Sequence, residues 1–368
     1  MCASSGERLH SHHDNVLELA SASHSVHKQT MDIQEHLPLA PLTTFGIGGL
    51  ARFFARARTV AEIAEALAFA KEKNLSVCIL GGGSNTLFDD AGFQGLVIKI
   101  EVGGITLERD GDGALLVAGA GESWDAIVAR AVGENLWGVE NLSAIPGTIG
   151  GAVVQNIGAY GAALSQTLAW AEVYDTQKKE ITKLSGGECA FGYRDSIFKR
   201  HDGRYVILRA ALRLLTALAP DLSYRDLAEK FKDTSPSLVD IREAVIAIRK
   251  NKFPDMALEG TAGSFFKNPV LPKAQTDILA SKYPGMPLFS LPESSDTKVP
   301  LGWILDHALN VRGMRIGSAR LFEKQALVIV TEKNGSSKDV AALAKEIQNR
   351  VRDAIGIAIE PEVRVVAQ

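Results

Sequence analysis

Three separated polar clusters in this sequence contain side chains that could together hold and protonate a small anionic molecule. Ser264 lies in the run GTAGSFFKNP, Arg194 in the run GYRDSIF, and Glu362 in the run EPEVR. A guanidinium can hold a carboxylate through two parallel hydrogen bonds, and a hydroxyl fixed in position can donate a proton. A neighbouring carboxylate could polarise the reacting group or relay that proton. If the fold brings the three clusters together, they would form a site for proton transfer to a bound carboxylate.

Each of these side chains also has a purely structural explanation. Arg194 could pair with the adjacent Asp195. Glu362 could pair with Arg364, because alternation along a final strand would place the two on one face. Ser264 could be a turn hydroxyl, since serine is a poor acid in water. From these residues alone, the structural and catalytic explanations both stay open.

The first of two glycine-rich runs could bind an anion through its backbone. The run Gly81–Asn85, with the sequence GGGSN, follows a short apolar strand, and consecutive glycines let N–H groups turn toward a pyrophosphate. It lacks the Gly-Lys-Ser/Thr of a Walker A loop. The residues after it do not have a helical pattern, which a dinucleotide-binding fingerprint requires. Taken alone, this run is better explained as a tight turn.

The second run, from Asn141 to Gly161, is glycine-rich and almost uncharged and includes the sequence IPGTIGG. Few side chains protrude from such a segment, so a flat, uncharged ligand such as a flavin ring could lie directly against its backbone. A buried, tightly packed loop and helix would have a similar composition. The presence of two such runs favours a cofactor site, with the first run holding the pyrophosphate.

The composition is that of an ordinary globular protein and argues against several classes. The 368 residues are 46% hydrophobic and 23% charged, enough for two or three domains. The net charge of −3 provides no overall basic field for nucleic acid, and apolar stretches end well short of a spanning helix. Cys2, Cys78 and Cys189 have neither metal-site spacing nor a disulfide framework, which fits a reducing compartment.

The first thirty residues differ from the rest of the chain. They are rich in serine and histidine and lack the apolar core of a signal peptide. Scattered histidines of this kind are better explained as surface residues than as a metal site. We expect residues 1–32 to be a disordered extension without a role in the chemistry, with Met31 as an alternative start.

Hydrophobic periodicity after this extension predicts an α+β fold of short elements. Thr59 is a candidate N-cap for the first helix. The sequence ALAP at 217–220 marks a domain boundary. Strands are predicted at 51–56, 77–80, 95–100, 115–118, 171–174, 205–208, 326–330 and 362–366, and helices at 60–73, 123–135, 237–251, 301–309 and 338–355.

The motifs GGGSN, IPGTIGG, YRDSIF, GSFFKNP and EPEVR together resemble the UDP-N-acetylenolpyruvoylglucosamine reductase (MurB) family of bacterial peptidoglycan synthesis, in its longer-loop subclass. Matching pieces extend from LTTFGIG at residue 42 to EPEVR at residue 360. The resemblance implies a vanillyl-alcohol-oxidase/PCMH-type FAD-binding domain of two subdomains at 33–216. An α+β substrate-binding domain is implied at 217–368.

The resemblance also implies an activity. In this family NADPH reduces a non-covalent FAD, and the reduced flavin gives a hydride to the enolpyruvyl methylene carbon of UDP-N-acetylglucosamine enolpyruvate. A serine then protonates the adjacent carbon to give UDP-N-acetylmuramate. A nucleotide-sugar substrate and the absence of an apparent export signal imply a cytoplasmic enzyme. No metal, nucleic acid, membrane or obligatory protein partner is implied.

Site residues carry over at matching positions. The implied catalytic residues are Ser264 as proton donor, Arg194 as the group that stabilises the enolate and carboxylate, and Glu362. The implied substrate contacts are Tyr193, Lys252 for the pyrophosphate, Asn268, Gln325, and Tyr224 as the tyrosine that closes over the substrate. With the two glycine-rich runs, the predicted cofactor contacts are Gly81, Gly82, Gly83, Ser84, Asn85, Ser143, Pro146, Gly147, Gly150, Gly151, Asn156, Gly158 and Ala159.

Two other functions were compatible with parts of this pattern. One is an oxidase of the same fold, although neither glycine-rich run contains a histidine or cysteine for covalent flavin attachment. The other is a nucleotide-sugar-binding protein with a decayed flavin site, which the retention of Arg194, Ser264 and Glu362 argues against. No residue in the sequence can be named as the one that selects NADPH over NADH.

Overall fold

A computed structural model describes residues 31–290 and 295–367. All of the helices and strands that it describes lie in the unit that begins at Asp32. The extension that the sequence predicts to be disordered, residues 1–32, lies outside the described part of the chain except for its last two residues. The strands are β1 (Ile33–Pro38), β2 (Leu50–Ala57), β3 (Val77–Leu80), β4 (Thr86–Phe88), β5 (Phe93–Ile100), β6 (Ile105–Asp110), β7 (Gly113–Gly119), β8 (Gly158–Ala159), β9 (Ala162–Ala163), β10 (Leu168–Asp175), β11 (Glu180–Ser185), β12 (Tyr205–Leu215), β13 (Gly260–Ser264), β14 (Val270–Leu271), β15 (Phe289–Ser290), β16 (Thr297–Lys298), β17 (Arg315–Ile316), β18 (Ala319–Phe322), β19 (Gln325–Thr331) and β20 (Arg364–Val366). The helices are α1 (Val60–Glu72), α2 (Trp124–Gly133), α3 (Ile149–Gln155), α4 (Ile197–Arg200), α5 (Arg225–Lys230), α6 (Leu238–Lys252), α7 (Lys273–Lys282), α8 (Leu301–Trp303) and α9 (Ser337–Ile355), with a π-helical turn at Ile304–Ala308 and 3₁₀ turns at Ala40–Leu42, Glu140–Leu142 and Leu164–Gln166.

The first sheet presents the first glycine-rich run at the end of a parallel strand. Its order is β1-β2-β5-β3, and β5 pairs in parallel with both β2 and β3. Helix α1 connects β2 to β3 and begins at the predicted cap, where Thr59 and Glu62 form a reciprocal capping box. Strand β3 ends at Leu80, so Gly81 emerges at its carboxyl end, where loops of parallel sheets commonly bind ligands.

The second sheet is antiparallel and carries the second glycine-rich run on its face. Its strand order is β11-β10-β12-β7-β6. Helices α2 and α3 follow β7 in the chain, and α3 packs against β12. The buried face of α2, with Ile127, Val128 and Ala131, is the face that the apolar spacing predicts.

The third sheet holds the Ser264 run over the second large core. Its order is β13-β19-β18-β17, and the long amphipathic helix α9 packs against three of these strands. Leu343 and Ile347 of α9 lie in the same buried cluster as Phe265, Phe266 and Ile329. The predicted helix at 301–309 is α-helical only at its start and continues as the π-helical turn.

The chain closes by returning to the first glycine-rich run. Strand β20 pairs in parallel with β4, with Arg364 opposite Thr86. The strand predicted at 362–366 therefore starts later than expected. The reason is that the Glu362 N–H donates to the Phe265 carbonyl at 2.7 Å, which ties this residue to the Ser264 run before β20 begins.

Within the described residues, no helix is long and apolar enough to cross a membrane. In the same ranges, no cluster of three or more histidine, cysteine, aspartate or glutamate side chains could hold a metal ion.

Candidate active site

A large cavity of ≈ 2420 Å³ brings together every predicted site residue except Ser143. One wall comes from the loop after β3 and the segment around α3. Further lining residues come from the end of β13, the start of β19 and the residues before β20. Residues that are distant in sequence thus meet around one space, as the three polar clusters and two glycine-rich runs predict.

The two glycine-rich runs pack directly against each other. A methyl group added to Gly82 would lie 2.7 Å from Gly147 Cα, and one added to Gly81 would lie 2.7 Å from Thr148 Oγ1. Ser84 Oγ donates to the Pro146 carbonyl at 2.9 Å, which joins the runs by a hydrogen bond. We call this surface, Gly81–Gly83 with Gly147–Gly151, the glycine cradle. Glycine is required at position 82 because its backbone meets that of Gly147 at contact distance.

The glycine cradle fits the flavin dinucleotide that the sequence resemblance implies. Thr148 Oγ1 is buried and has no hydrogen-bond partner among the described residues, so it has a donor available for a ligand oxygen. Arg364 lines the same cavity and donates to the Ile79 carbonyl at 3.1 Å, which brings a positive charge to the base of the first run. An exposed backbone surface, a free hydroxyl and a guanidinium together suit a pyrophosphate. Thr148 and Arg364 were absent from the sequence-based list, although both lie within motifs that it used.

Arg194 and Glu362 form the charged centre of the site. Arg194 Nε lies 2.8 Å from Glu362 Oε1, and both side chains are mostly buried. The contact is an ion pair by distance, yet Nε has no hydrogen-bond acceptor in good geometry among the described residues. Arg194 Nη2 donates to the Gly158 carbonyl at 2.6 Å, which fixes the guanidinium against the second glycine-rich run.

The structural explanations for these two residues are wrong. Asp195 pairs with Arg200 instead of Arg194, in a tight turn where Arg194 adopts a left-handed backbone conformation with φ of 55°. Arg364 pairs with Asp202 at 2.8 Å instead of Glu362. Because Glu362 precedes β20, strand alternation does not apply to it.

Two residues that the sequence analysis did not select complete this centre. Gln155 Nε2 donates to Glu362 Oε1 at 3.2 Å, and Lys199 Nζ donates to Gln155 Oε1 at 2.9 Å. Burial, and then the charge of Lys267, lower the pKa of the Lys199 amine. We call Gln155, Arg194, Lys199 and Glu362 the charged cluster. Its members come from α3, the turn before α4, α4 itself and the segment before β20.

Ser264 lies at the end of β13, beside the attachment point of Glu362. The preceding Gly263 has a φ of 77° and lies where the pairing of β13 with β19 shifts register, and the following Phe265 carbonyl accepts the Glu362 N–H. Ser264 is half-buried and lines the cavity. The backbone therefore couples the position of the hydroxyl to that of the carboxylate.

Lys252 and Tyr224, two of the side chains predicted for substrate binding, lie next to each other in the cavity lining. Lys252, at the end of α6, forms an ion pair with Asp226 and lies 5.1 Å from the centroid of the Tyr224 ring. Burial alone would lower the pKa of the Lys252 amine, but Asp226 and Tyr224 together outweigh it and raise that pKa. Tyr224 packs edge-on against Tyr160, with ring centroids 4.9 Å apart.

Tyr193 and Asn268 lie near the charged cluster, with the Arg194 guanidinium 5.8 Å from the Tyr193 ring centroid, and Gln325 lines the same cavity at the start of β19. Asn268 Nδ2 lies 3.4 Å from the Tyr193 hydroxyl, and Asn268 Oδ1 accepts the Leu301 N–H at 2.9 Å. Lys298, which the sequence analysis also missed, lies 5.5 Å from the Tyr193 ring centroid. Burial, and then the neighbouring Arg194 charge, lower the pKa of the Lys298 amine.

Ser143 and Asn156, two of the predicted cofactor contacts, use their side chains in hydrogen bonds within the protein. Ser143 lies beneath the cavity wall, fully buried, and its hydroxyl donates to the Glu140 carbonyl at 2.6 Å. Asn156 lines the cavity, but its amide donates to the Gly192 carbonyl and accepts the Ser165 N–H. Asn156 thus supports the turn that carries Arg194.

Comparisons with known proteins cover most of the chain. Residues 51–185 match the model of an FAD binding domain, and residues 255–366 match that of the UDP-N-acetylenolpyruvoylglucosamine reductase C-terminal domain. The UDP-N-acetylenolpyruvoylglucosamine reductase of Ralstonia nicotianae is 41% identical over 342 residues, covering 91% of this chain and 99% of that protein. The Pseudomonas aeruginosa protein of the same name is 38% identical, covering 90% of this chain and 98% of its own.

A solved structure gives the same fold. The crystal structure of the UDP-N-acetylenolpyruvylglucosamine reductase of Thermus caldophilus superposes with a TM-score of 0.65. The match covers 92% of this chain and 100% of that one at 24% sequence identity.

Proposed function

Because this chain belongs to the UDP-N-acetylenolpyruvoylglucosamine reductase family, we propose that its charged cluster and Ser264 form the catalytic centre beside FAD on the glycine cradle. The enzyme is an FAD-dependent oxidoreductase of peptidoglycan precursor synthesis with the α+β fold of that family. It reduces UDP-N-acetylglucosamine enolpyruvate to UDP-N-acetylmuramate. The observation that carries the assignment of the centre is the buried Arg194–Glu362 pair, which is tied by backbone to the Ser264 run.

FAD, when bound, supplies a route for a hydride from NADPH to the substrate's enolpyruvyl methylene carbon. Gly81–Gly83, Thr148 and Arg364 would hold its pyrophosphate, and the backbone from Gly150 to Ala159 would support its ring. No histidine or cysteine is present in the two glycine-rich runs, which supports a non-covalent cofactor.

The chain's own residues handle charge and the proton. Hydride addition to an enol ether beside a carboxylate develops negative charge on the carboxylate side, and a fixed guanidinium stabilises such charge in a mostly buried site. Arg194 serves as that group. The Ser264 hydroxyl donates a proton to the carbon next to the methylene. One hydride and one proton thus add across the double bond, and the product is the lactyl ether.

Glu362 keeps Arg194 and Ser264 in register. Its carboxylate draws the guanidinium toward it, while its N–H holds the backbone beside Ser264. The carboxylate also polarises the enol face or relays a proton to the serine. Both tasks need it to stay in contact with Arg194 and Gln155.

Lys252 is suited to the substrate's diphosphate. Its charge is balanced by Asp226, so the diphosphate must compete with that carboxylate. Tyr224, which contacts both Lys252 and Tyr160, would cover the substrate once it is bound. Tyr193, Asn268 and Gln325 would contact the substrate closer to the reacting end.

We also propose a division into an FAD-binding part at 33–216 and a substrate-binding part at 217–368, and action in the cytoplasm without an obligatory protein partner. The supporting argument for the location is that a nucleotide sugar is a water-soluble substrate.

An anaerobic visible spectrum tests the proposal. NADPH should bleach the flavin band of the purified protein, and UDP-N-acetylglucosamine enolpyruvate should restore it. A flavin that bleaches but is not reoxidised by this substrate would indicate a different electron acceptor. A protein that neither contains nor takes up flavin would overturn the proposal.

A further inference from the structure

We propose that Lys199 is a positioning residue for the Arg194–Glu362 pair and acts through the side-chain amide of Gln155. The inference rests on the proposed catalytic roles of Arg194 and Glu362. Lys199 would not touch the reacting atoms. It would determine which way the Gln155 amide faces, and so what Glu362 contacts.

The contacts form a continuous chain. Lys199 Nζ donates to Gln155 Oε1 at 2.9 Å, and Gln155 Nε2 donates to Glu362 Oε1 at 3.2 Å. The same Glu362 oxygen lies 2.8 Å from Arg194 Nε. Lys199 Nζ also donates to the Arg194 backbone carbonyl at 3.2 Å. The amine therefore reaches both members of the catalytic pair, one through Gln155 and one through the backbone.

The direction of these hydrogen bonds follows from the chemistry of an ammonium group. An ammonium has three donors and no acceptor, so only the oxygen of the Gln155 amide can face it. The NH₂ of that amide must then face Glu362, where it donates to the carboxylate. If the amide turned over, its oxygen would meet a carboxylate oxygen, which is repulsive. Lys199 thus selects the one orientation that supports Glu362.

The backbone contact has a second consequence. Arg194 has a left-handed conformation, which is costly for a residue with a side chain and persists only where surrounding contacts hold it. The Lys199 amine holds the carbonyl of that residue, and Arg200 pairs with Asp195 across the same turn. Since the direction of the guanidinium depends on this turn, Lys199 helps to aim it.

The amine is retained in surroundings that disfavour its charge. It is half-buried, it lines the cavity, and the positive charges of Lys267 and Arg194 lie near it. The opposing charges are those of Glu362 and Asp195. An ordinary surface lysine has no need of such a location, whereas a lysine that orients an amide beside a catalytic carboxylate must be there.

The main test separates the two half-reactions in Lys199→Met, a variant of similar length without donors. NADPH-driven flavin reduction should stay within about twofold of the parent, because it does not use the proton-donor side. Substrate-driven reoxidation should fall by about 10- to 100-fold, the usual result of slightly misplaced catalytic groups. Lys199→Arg, which also has donors only, should recover most of the loss. Equal losses in both half-reactions, or no loss, would overturn the inference.

A double-mutant cycle with Gln155→Met tests the route. If Lys199 acts through Gln155, adding Lys199→Met to Gln155→Met should slow reoxidation far less than it does in the parent. Full additivity of the two losses would contradict the proposed route, even if each variant alone is slow. A matched control is Lys282→Met, which removes an amine that donates to the Ala354 carbonyl at 2.9 Å, and neither residue lines the cavity. Both half-reactions of this control should match the parent.

Glu362→Gln distinguishes failure of this inference from failure of the proposed function. If Glu362→Gln slows reoxidation and Lys199→Met does not, the catalytic centre stands and the role of Lys199 is refuted. If neither slows it, the assignment of the charged cluster to catalysis is itself wrong, and the inference falls with it. Retention of bound flavin and an unchanged melting temperature confirm that each variant is folded.

Discussion

The glycine cradle and the charged cluster are two parts of the lining of one cavity, and they are specified by opposite physical means. The cradle presents backbone to the cavity, and its shape requires residues without side chains, because a methyl group on Gly82 would lie 2.7 Å from Gly147 Cα. The charged cluster presents side chains, and its function depends on which donor meets which acceptor among Arg194, Glu362 and their neighbours. Shape specifies the glycine cradle, whereas charge specifies the charged cluster.

This difference predicts different kinds of failure. A change in the cradle should impair cofactor binding and stability, because backbone packed against backbone cannot adjust without moving whole loops. A change in the charged cluster or Ser264 should leave cofactor and fold intact and reduce one rate. The four substitutions below test that separation, beginning with the largest expected effect.

Ser264→Ala should slow substrate-driven reoxidation by about 10²- to 10⁴-fold, the usual contribution of a positioned acid. NADPH-driven reduction of the flavin should stay nearly unchanged, because the serine acts only when the substrate is protonated. Anaerobic stopped-flow absorbance measures the two steps separately. Ser281→Ala is a suitable control, since that hydroxyl donates to the Asp277 carbonyl on an exposed helix. Equal loss in both steps would remove the assigned role.

Gly82→Ala should weaken FAD binding by about 5- to 150-fold, which corresponds to about 1–3 kcal/mol for an overpacked contact. The melting temperature should also fall, since the added methyl group meets the Gly147 backbone. Titration of the apoprotein with FAD gives the affinity. Gly187→Ala is the matched control, because a methyl group there has no described neighbour within 4 Å and the backbone is likewise outside the left-handed region. If both variants behave alike, shape does not specify the cradle.

Thr148→Val should weaken FAD binding roughly tenfold, about 1.4 kcal/mol, through loss of one hydrogen bond to the pyrophosphate. The apoprotein should be as stable as the parent or slightly more stable, because the buried hydroxyl has no partner among the described residues. Calorimetric melting with and without FAD measures both effects. An apoprotein that loses stability while FAD affinity is retained would show that the hydroxyl is structural.

Asp125→Asn should have the smallest effect and should act on stability. Asp125 accepts the Ala144 N–H at 2.6 Å and two hydrogen bonds from Arg242, and so anchors the start of the second glycine-rich run to α6. Burial alone would raise the pKa of this carboxyl, but hydrogen bonds from Arg242 and Ala144 hold it below its ordinary value. Because the side chain is partly exposed, we expect a loss of about 1 kcal/mol at pH 7.

The pH dependence of that loss has a definite sign. A carboxyl whose pKa is lowered on folding stabilises the protein above its unfolded-state pKa, about 3.9, and this contribution disappears as the pH falls through the folded value. The difference in unfolding free energy between parent and Asp125→Asn should therefore shrink below about pH 4. Urea unfolding at a series of pH values measures it. A difference that is constant with pH would show that the charge of Asp125 is not the cause.

Sequence reasoning succeeded where local pattern and local motif carry the information. Apolar spacing predicted α9 and β19 at their observed positions, and each of the five motifs contributes residues to the cavity wall. A spaced pattern predicts one element because its neighbours in sequence are also its neighbours in space. A motif that can bind a ligand through its backbone can be recognised for the same reason, because its residues are consecutive in the sequence.

Sequence reasoning failed where a contact is decided by residues distant in the chain. Nothing near Glu362 indicates that its partner is Arg194 instead of Arg364, since that depends on where β20 begins. Lys199 and Gln155 have common residue types, and only their meeting point gives them a role. Ser143 is a polar residue in a binding motif, but its hydroxyl satisfies the Glu140 carbonyl under the wall.

Because β20 pairs with β4, a newly made chain can complete its active site only after β20 has been synthesised. Asn85 Nδ2 donates to the Glu362 carbonyl across 277 residues. At the synthesis rate of about 5–20 residues per second, the ribosome adds those residues in roughly 14–55 seconds. The two glycine-rich runs are complete by Gly161, long before Glu362 is made. The loops that would bind the cofactor are therefore synthesised well before Glu362, and catalysis requires this later residue as well.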